Sequence, residues 1–355
     1  MVTRYDALGA SSRLRHMQYA PALAAVGIKT TLEPFFSGEY LARLYAGRSI
    51  SLPAFAAYAR RVGQLRRARD YDVLWLEKEA LPWLPWALEK QLLPRGVPLV
   101  VDFDDAVFHN YDLHRSGAVR RVLGDKIDRL MASAALVTAG NPYLAARARA
   151  AGAARVAIVP TVVDLAAYRV SHAPVSEAPT RIGWIGTPST WGAYVEPLMP
   201  VLTRSAADAS ARILAVGAGH AASAHPLLDS EPWSEASEVA RIQAMSIGIM
   251  PLEDTPWARG KCGYKLLQYM ACGLPVVASR VGVNADIVEH GVNGFLAASE
   301  AEWHAAITTL LLDPGLRERM GAAGRRKVEE HYALGVWAPR VADMLFVAAQ
   351  LKAYQ

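Results

Sequence analysis

The sequence predicts an α/β protein made of two domains, each with a doubly wound parallel sheet. The chain has 355 residues, which at roughly 150 residues per domain indicates two domains. Short apolar runs bounded by turn residues alternate with helical segments, a pattern typical of parallel sheets. This rhythm stops once, in the Pro- and Ser-containing segment 171–180, and then begins again. We therefore interpret that segment as the interdomain linker.

Five apolar runs before the linker predict the strands of the first sheet. The first is short and is followed by the turn Gly9–Ser12 and a helical stretch over 13–26. Several of the later runs end in acidic residues or glycine, as strands do where they meet functional loops. The predicted strands are Val2–Asp6, Tyr71–Glu77, Pro98–Asp105, Ala135–Gly140 and Arg155–Val163.

A second series of strands and helices follows the linker. Helical stretches are predicted over 234–245 and 265–271, and the apolar spacing from 336 to 354 predicts a final helix. The predicted strands are Arg181–Gly186, Ala211–Gly219, Ser246–Leu252 and Leu274–Ser279. Since ligands bind beyond the carboxyl ends of strands in such sheets, two of these domains can hold one ligand each.

Composition and charge limit the possible functions. Apolar residues make up 52% and charged residues 20% of the chain, values typical of a globular protein. The net charge of +5 favours anionic ligands but is too small to indicate nucleic-acid binding. Two cysteines cannot form a disulfide framework and fit a reducing compartment. The sequence opens without a secretory signal and no apolar run reaches ~20 residues, so we expect a cytoplasmic protein.

The loop before residue 264 combines glycines with cations at the start of a helix. Gly260 and Gly263 permit close backbone approach, and Lys261 and Lys265 add positive charge. The N–H groups and dipole of a helix start favour an anion. A bound diphosphate is therefore the functional interpretation, and a solvated basic loop is the alternative.

This stretch resembles the donor-binding signature of the family 4 glycosyltransferases. The resemblance rests on QYMACGLPVVAS at 268–279, Gly282, Asp286–Val288 and Gly291–Phe295. It covers about 181–332, whereas the first half matches mainly in its rhythm of strands and helices.

The resemblance implies the GT-B fold, with two Rossmann-like domains facing a central cleft, and sugar transfer with retention of anomeric configuration. A first domain at 1–172 would bind the acceptor, and a second at 173–336 would bind the nucleotide-sugar. The last helix, 337–355, is expected to pack back on the first domain. Lys261, Gly263, Tyr264 and Lys265 would hold the donor diphosphate.

The sequence departs from the family signature at its two glutamates. Alignment on Gly263 puts Gln268 at the second glutamate, where its amide can still form hydrogen bonds with ribose hydroxyls. Gly260 stands at the first, and Glu253 or Asp254 could supply a carboxylate from upstream. The missing acid leaves a non-catalytic nucleotide-sugar-binding protein as an alternative.

Two strand-end loops complete the donor site that the resemblance implies. Gly186 and Thr187 would contact the phosphates through backbone N–H and hydroxyl groups, where relatives often carry Arg and Lys. The plain alternative is a strand-helix turn. Gly217, Trp233 and Ser234 would lie at the ribose and base, although Trp233 could equally be a core residue.

An acidic cluster at the end of a predicted strand allows three interpretations. Asp102, Asp104 and Asp105 could bind a divalent metal or supply a phosphatase-type nucleophile. By the resemblance, Asp104 instead falls where relatives place a histidine near the reacting sugar carbon, and it would be catalytic there. We expect no metal and no cofactor, and a metal-dependent phosphatase or isomerase is the alternative enzyme.

The first loop and a basic helix offer acceptor-side contacts. Gly9, Ser11, Ser12 and Arg13 would face the acceptor, expected to be a glycan or a lipid-linked molecule; an ordinary helix cap is the alternative. Arginines in 60–69 could contact an anionic membrane surface but fit a solvated helical face better. The sequence gives no indication of oligomeric state.

Overall fold

The computed structural model describes residues 1–7, 9–38, 40, 51–170 and 179–351, which divide into two compact units. Unit 1 comprises Met1–Thr161, Gly260–Cys262 and Gly335–Gln355, and unit 2 comprises Val162–Arg259 and Gly263–Leu334. The predicted linker lies outside the described residues from 171 to 178, as does the predicted boundary at 172. Each unit contains one six-stranded parallel sheet, so the predicted fold class is confirmed.

The sheet of unit 1 has the strand order β2-β1-β3-β4-β5-β6 and is parallel throughout. Its central strands β3, β4 and β5 are buried along their whole length, as expected for a sheet covered on both faces. The strands are β1 Val2–Tyr5, β2 Glu33–Phe36, β3 Leu74–Glu77, β4 Leu99–Phe103, β5 Leu136–Ala139 and β6 Val156–Ile158.

Helices connect these strands as crossover connections require. They are α1 Ala10–Arg15, α2 Ala20–Ala25, α3 Ser51–Arg67, α4 Trp86–Leu92, α5 His109–Asp112, α6 Gly117–Leu123, α7 Lys126–Ser133 and α8 Pro142–Ala150, with single 3₁₀ turns at Met17–Tyr19 and Ala68–Asp70.

The sheet of unit 2 has the order β9-β8-β7-β10-β11-β12, which is the strand order of a Rossmann fold. In that order the strands are added to one side of β7 up to β9 and then to its other side from β10 onward. The loops after β7 and β10 therefore border the expected ligand position. The strands are β7 Arg181–Ile185, β8 Arg212–Val216, β9 Leu228–Glu231, β10 Ile247–Met250, β11 Val276–Ser279 and β12 Gly294–Ala297.

Helices also connect the strands of unit 2, and one last helix returns to unit 1. They are α9 Pro188–Thr190, α10 Met199–Asp208, α11 Glu235–Gln243, α12 Pro256–Arg259, α13 Tyr264–Ala271, α14 Asn284–Ile287, α15 Glu300–Leu312, α16 Pro314–His331 and α17 Leu334–Gln350, with a π turn at Trp191–Val195 and 3₁₀ turns at Glu196–Leu198 and Gly219–Ala221.

The sheet of unit 2 separates two apolar clusters because successive side chains of a strand point to opposite faces. On β8, Ile213 and Ala215 belong to one cluster and Leu214 and Val216 to the other. The second cluster also includes Leu266, Leu267, Tyr269, Met270 and Ala271 of α13. Helix α13 is thus fixed against the sheet by its own apolar face.

The basic segment of α3 is not a uniformly solvated face, and this prediction is wrong for Arg61. Its side chain is 1% exposed and donates to the carbonyl oxygens of Thr3 and Glu33 at 2.6 and 3.0 Å. It therefore fixes α3 to the ends of β1 and β2. Trp75 and Trp86 are also buried, in the core of unit 1.

Within the described part of the chain, every helix is too short or too polar to span a lipid bilayer.

Close packing of α16 on the end of α13 yields a stability prediction. A Cβ atom added at Gly321 would lie 1.9 Å from the carbonyl oxygen of Gly273, so Gly321→Ala must separate the two helices. We expect it to lower the free energy of unfolding by about 1–3 kcal/mol in urea titrations. Gly335→Ala is the control, because no atom lies within 4 Å of its added Cβ. Equal stability of the two variants would contradict this packing.

Candidate active site

Asp104, the predicted catalytic residue, follows β4 and pairs with a buried lysine. Its Oδ1 lies 2.9 Å from Nζ of Lys78, whose side chain is 7% exposed. Burial alone would raise the pKa of Asp104, but the charges of Lys78 and Arg15 and hydrogen bonds from Ser11 and Lys78 lower it below its ordinary value. The carboxylate is therefore held ionised at neutral pH.

Lys78 occupies an unusual backbone conformation. Its φ of 61° lies in the left-handed region, which costs a residue with a side chain about 1–3 kcal/mol. In this conformation the ammonium group lies 3.8 Å from Asp105 and 3.3 Å from the Ser11 hydroxyl. The strained backbone of Lys78 thus accompanies a network of charged contacts at the carboxyl ends of β3 and β4.

Lys261, a predicted phosphate ligand, is part of unit 1 and pairs with Asp105. Its Nζ lies 2.9 Å from Oδ1 of Asp105, and its carbonyl oxygen accepts a hydrogen bond from Asn141. Burial disfavours the charged ammonium, but Asp105 outweighs this and raises the pKa of Lys261. The predicted phosphate ligands therefore belong to different units, since Gly263 and Lys265 lie in unit 2.

Asp102 has a structural environment. Both of its carboxylate oxygens accept hydrogen bonds from Arg15, at 2.9 and 2.6 Å, and Thr138 donates to it at 2.6 Å. The three aspartates of the predicted cluster thus face three different cations. Among the described residues, no three His, Cys, Asp or Glu side chains converge as metal ligands would.

The first loop presents only some of its predicted acceptor contacts. Ser12 is fully buried and donates to Glu77 at 2.6 Å, so its hydroxyl supports the fold rather than an acceptor. Gly9 directly precedes α1, and no side chain caps this helix. Ser11 is partly exposed, and Arg13 is a partly buried residue that donates to the carbonyl oxygen of Ala7.

In unit 2, the start of α13 depends on Gly263. This residue has a φ of 69°, and a Cβ here would lie 2.3 Å from Cδ1 of Ile287. No side chain caps the helix, and the first backbone N–H groups of a helix point out of its N-terminal end. The ammonium group of Lys265 lies 6.0 Å from the ring centroid of Trp184 on β7. The arrangement combines a helix start with a nearby cation.

The two predicted strand-end loops lie in contact. Gly217, with a φ of 82°, approaches so closely that an added Cβ would lie 2.3 Å from the carbonyl oxygen of Gly186 and 3.1 Å from Cβ of Trp233. Thr187 and Thr190 form a capping box at the start of α9. Ser234 caps α11 by accepting from the backbone N–H of Ser237.

Gln268 lies in a buried polar cluster that also contains Tyr264 and Trp233. Its amide nitrogen donates to the Tyr168 hydroxyl and to Glu238, each at 2.8 Å. The Trp233 indole donates to Glu238 at 2.7 Å, and the Tyr264 hydroxyl lies 3.1 Å from that of Tyr168. Burial, and then Tyr264 and Glu238, raise the pKa of Tyr168 and keep its hydroxyl protonated.

Packing explains why Gly260 carries no carboxylate. A Cβ at this position would lie 2.5 Å from Cβ of Ala106 and 2.7 Å from its backbone nitrogen. Of the two upstream acids, Asp254 forms a two-pronged ion pair with Arg259, at 2.7 and 3.0 Å. Glu253 is exposed.

Comparison with known proteins supports the signature in unit 2. Residues 179–313 match the family model described as glycosyl transferases group 1. Over 96 residues the chain is 32% identical to N-acetyl-alpha-D-glucosaminyl L-malate synthase of Bacillus anthracis, covering 26% of this chain and 24% of that protein. Over 117 residues it is 31% identical to D-inositol 3-phosphate glycosyltransferase of Thermobifida fusca, covering 32% and 25%. The chain thus spans about a quarter of the length of these curated relatives.

Solved structures extend the likeness to the whole chain. Sucrose-phosphate synthase from Thermosynechococcus elongatus matches with a TM-score of 0.71 and 16% identity, covering 100% of this chain and 99% of that one. Anabaena HepE in complex with UDP-glucose matches with a TM-score of 0.71 and 17% identity, covering 98% and 99%.

The fold is therefore that of the GT-B glycosyltransferases, as predicted. The match of residues 179–313 to the glycosyl transferases group 1 model confirms the family 4 resemblance drawn from the sequence.

Sequence reasoning missed three residues of these clusters: Lys78, Tyr168 and Glu238. Glu77 ends an apolar strand and Lys78 and Glu79 directly follow it, and charges at such a position could have indicated buried ion pairs. Glu238 precedes Ile242 by four residues on the buried face of α11, where an apolar residue is expected. Nothing in the sequence around Tyr168 indicates its contact.

Loss of the Lys78 ammonium group is expected to destabilise the fold in a pH-dependent manner. Lys78→Met leaves Asp104 without its ion-pair partner, which we expect to cost about 2–4 kcal/mol of unfolding free energy at pH 7. Because the pKa of Asp104 is lowered in the folded wild type, its contribution is present above the ordinary value of 3.8 and is lost as pH falls below it. The difference between variant and wild type should therefore shrink below about pH 4.

Denaturant titrations between pH 3 and 8 measure this difference. The control is Lys90→Met, an exposed lysine on α4 whose replacement should change stability by less than about 0.5 kcal/mol. Equal stability of Lys78→Met and wild type at pH 7 would show that the ion pair contributes nothing.

Proposed function

We propose that the protein is a retaining glycosyltransferase that moves a sugar from a nucleoside-diphosphate-sugar to an acceptor hydroxyl. The observation that carries the proposal is the start of α13, where Gly263 leaves the helix without a side-chain cap and Lys265 supplies a positive charge. Such a helix start favours an anion, and a diphosphate is the anion that this family signature accompanies.

Unit 2 is proposed to bind the donor. Gly263, Tyr264 and Lys265 would hold the diphosphate, together with Gly186 and Thr187. Gln268, Gly217, Trp233 and Ser234 would lie at the ribose and base. The contact between Gly186 and Gly217 and the hydrogen-bonded cluster around Gln268 support this grouping. The HepE structure contains UDP-glucose, so we propose a UDP-sugar as the first donor to test.

Unit 1 is proposed to carry the acceptor side and Asp104. Ser11, Arg13 and the backbone of Gly9 remain acceptor contacts in the proposal, whereas Ser12 is assigned to the fold. As sugar transfer begins, positive charge builds on the anomeric carbon, and an ionised Asp104 would stabilise it or orient a sugar hydroxyl. The departing phosphate can accept the proton of the acceptor hydroxyl, so the scheme requires no separate protein base.

The acceptor class and the location of the protein belong to the same proposal. A glycan, a glycolipid or a small molecule would serve as the acceptor, and the protein would act in the cytoplasm or at the inner face of the membrane. Contact with the anionic membrane surface would be favoured by the exposed side chains of Arg60, Arg66, Arg67 and Arg69.

A calorimetric titration with UDP-sugars and GDP-sugars, followed by product analysis with and without EDTA, tests the function. We expect binding and transfer that survive EDTA. Loss of turnover in EDTA would favour the metal-dependent phosphatase or isomerase. Binding without transfer to any acceptor extract would favour the non-catalytic protein, which the absence of a carboxylate at Gly260 makes worth testing.

Removal of the Lys265 charge should weaken nucleotide binding. Lys265→Ala is expected to cost roughly 1.5–3 kcal/mol of UDP binding free energy, the scale of a charged hydrogen bond. Lys90→Ala changes the net charge equally and serves as the control. A dissociation constant unchanged from wild type would remove Lys265 from the donor site.

Substitution of Asp104 should affect turnover rather than nucleotide affinity. For Asp104→Asn we expect a loss of about 10²–10³ in kcat, typical for removal of one electrostatic contact to a transition state. UDP affinity should stay within about twofold, because the residue acts on the sugar. Asp125→Asn, an exposed partner of Arg129, is the control. Full activity of Asp104→Asn would end its catalytic assignment.

A further inference from the structure

Glu238 is a buried carboxylate whose partners are neutral. It is 8% exposed and lies on the buried face of α11, four residues before Ile242. It accepts hydrogen bonds from Trp233, Gln268 and Tyr168. In the part of the chain that the structure describes, no Lys, Arg or His forms an ion pair with it. A buried charge without a counter-ion costs stability, and an apolar residue would suit this face of α11 better. The position therefore points to a functional requirement.

The carboxylate determines which way the Gln268 amide faces. A carboxylate can only accept hydrogen bonds, so the amide nitrogen must face Glu238. The Tyr168 hydroxyl donates its hydrogen bond to Glu238, and it can therefore only accept from Gln268. Both N–H groups of the amide are used in this way. The carbonyl oxygen is the end of the side chain that remains for a ligand.

The same network orients the Tyr264 hydroxyl. Since the Tyr168 hydroxyl donates to Glu238, the hydrogen bond of 3.1 Å between the two tyrosines must be donated by Tyr264. On the other side, the Trp233 indole N–H is fixed at 2.7 Å from the second carboxylate oxygen. One buried charge thus sets the orientation of three side chains that we assign to the donor site.

We propose that Glu238 is a positioning residue for nucleotide recognition: it turns Gln268 so that the amide oxygen accepts a ribose hydroxyl of the donor. Gln268 then presents an acceptor oxygen where relatives carry a glutamate. The negative charge lies instead on Glu238 of α11, which contacts the amide nitrogen of Gln268. This inference rests on the proposed function, and it adds a specificity for ribonucleotides over deoxyribonucleotides that depends on Glu238.

The test compares UDP with 2′-deoxy-UDP and 3′-deoxy-UDP by calorimetry. For the wild type we expect UDP to bind on the order of tenfold more tightly than at least one deoxy analogue, the value of about one hydrogen bond. In Glu238→Gln, an NH₂ group replaces one carboxylate oxygen and must face a side chain that is itself a donor. Gln268 therefore loses its fixed orientation. The preference should fall to within about twofold while UDP still binds.

Two further variants separate positioning from stability. Val239→Ala removes packing from the same helix but keeps the carboxylate, so it should lower the melting temperature and retain the ribose preference. The double variant Glu238→Gln with Gln268→Glu exchanges carboxylate and amide, and it should recover the preference that Glu238→Gln loses. If Glu238→Gln does not fold, the double variant provides the test. A double variant that does not prefer UDP over the deoxy analogues would overturn the positioning role of Glu238.

The outcomes distinguish the inference from the function. A wild-type preference that persists unchanged in Glu238→Gln overturns the role of Glu238 and leaves the proposed function intact. A wild type that binds UDP and both analogues equally also overturns it. A wild type that binds neither UDP nor GDP removes the proposed function, and the positioning role is lost with it.

Discussion

The start of α13 depends on a residue that has no side chain. Gly263 adopts a left-handed backbone conformation, with a φ of 69°, directly before the helix. Ile287 fills the space that a Cβ would occupy. The C-terminal part of the family signature is therefore largely a packing device. Gly282 lies against the backbone of Arg259, and Asn293 forms hydrogen bonds with the backbone around Ile287. These contacts fix the loop that leads into the helix.

The two units handle buried charge in different ways. In unit 1, each carboxylate at the end of β4 faces a cation, and Lys78 accepts a strained backbone to reach two of them. Ion pairs of this kind hold their groups ionised and fixed in position. In unit 2, Glu238 is surrounded by neutral donors, so its charge orients an amide, a phenol and an indole. The first arrangement suits chemistry at a charged centre, and the second suits recognition.

Most of the fold was predictable because central strands of parallel sheets are apolar runs. The strands that sequence reasoning missed are β2, β9 and β12, and all three lie at the edge of a sheet. Edge strands tolerate residues that central strands exclude, such as the proline in β2 and the polar sequence of β9. The sequences of β2 and β9 therefore lack a continuous apolar run, whereas β12 is an apolar segment of only four residues, Gly294–Ala297.

The candidate site was predictable where glycines and charges follow strands, as at Gly217 and Asp104. It was not predictable where a side chain acts through a partner distant in sequence. Gln268 meets Tyr168 across 100 residues, and Lys78 meets Asp104 across 26, so no local pattern reports either contact. Burial of Ser12 is equally hidden, because a serine after a glycine turn fits both a core hydrogen bond and an exposed loop.

A crystal structure of the protein with bound UDP would show where the diphosphate binds. We expect it at the start of α13, with oxygens in hydrogen-bonding distance of backbone N–H groups in 263–265 and of the Lys265 ammonium group. UDP bound with its phosphates away from this helix start would contradict it.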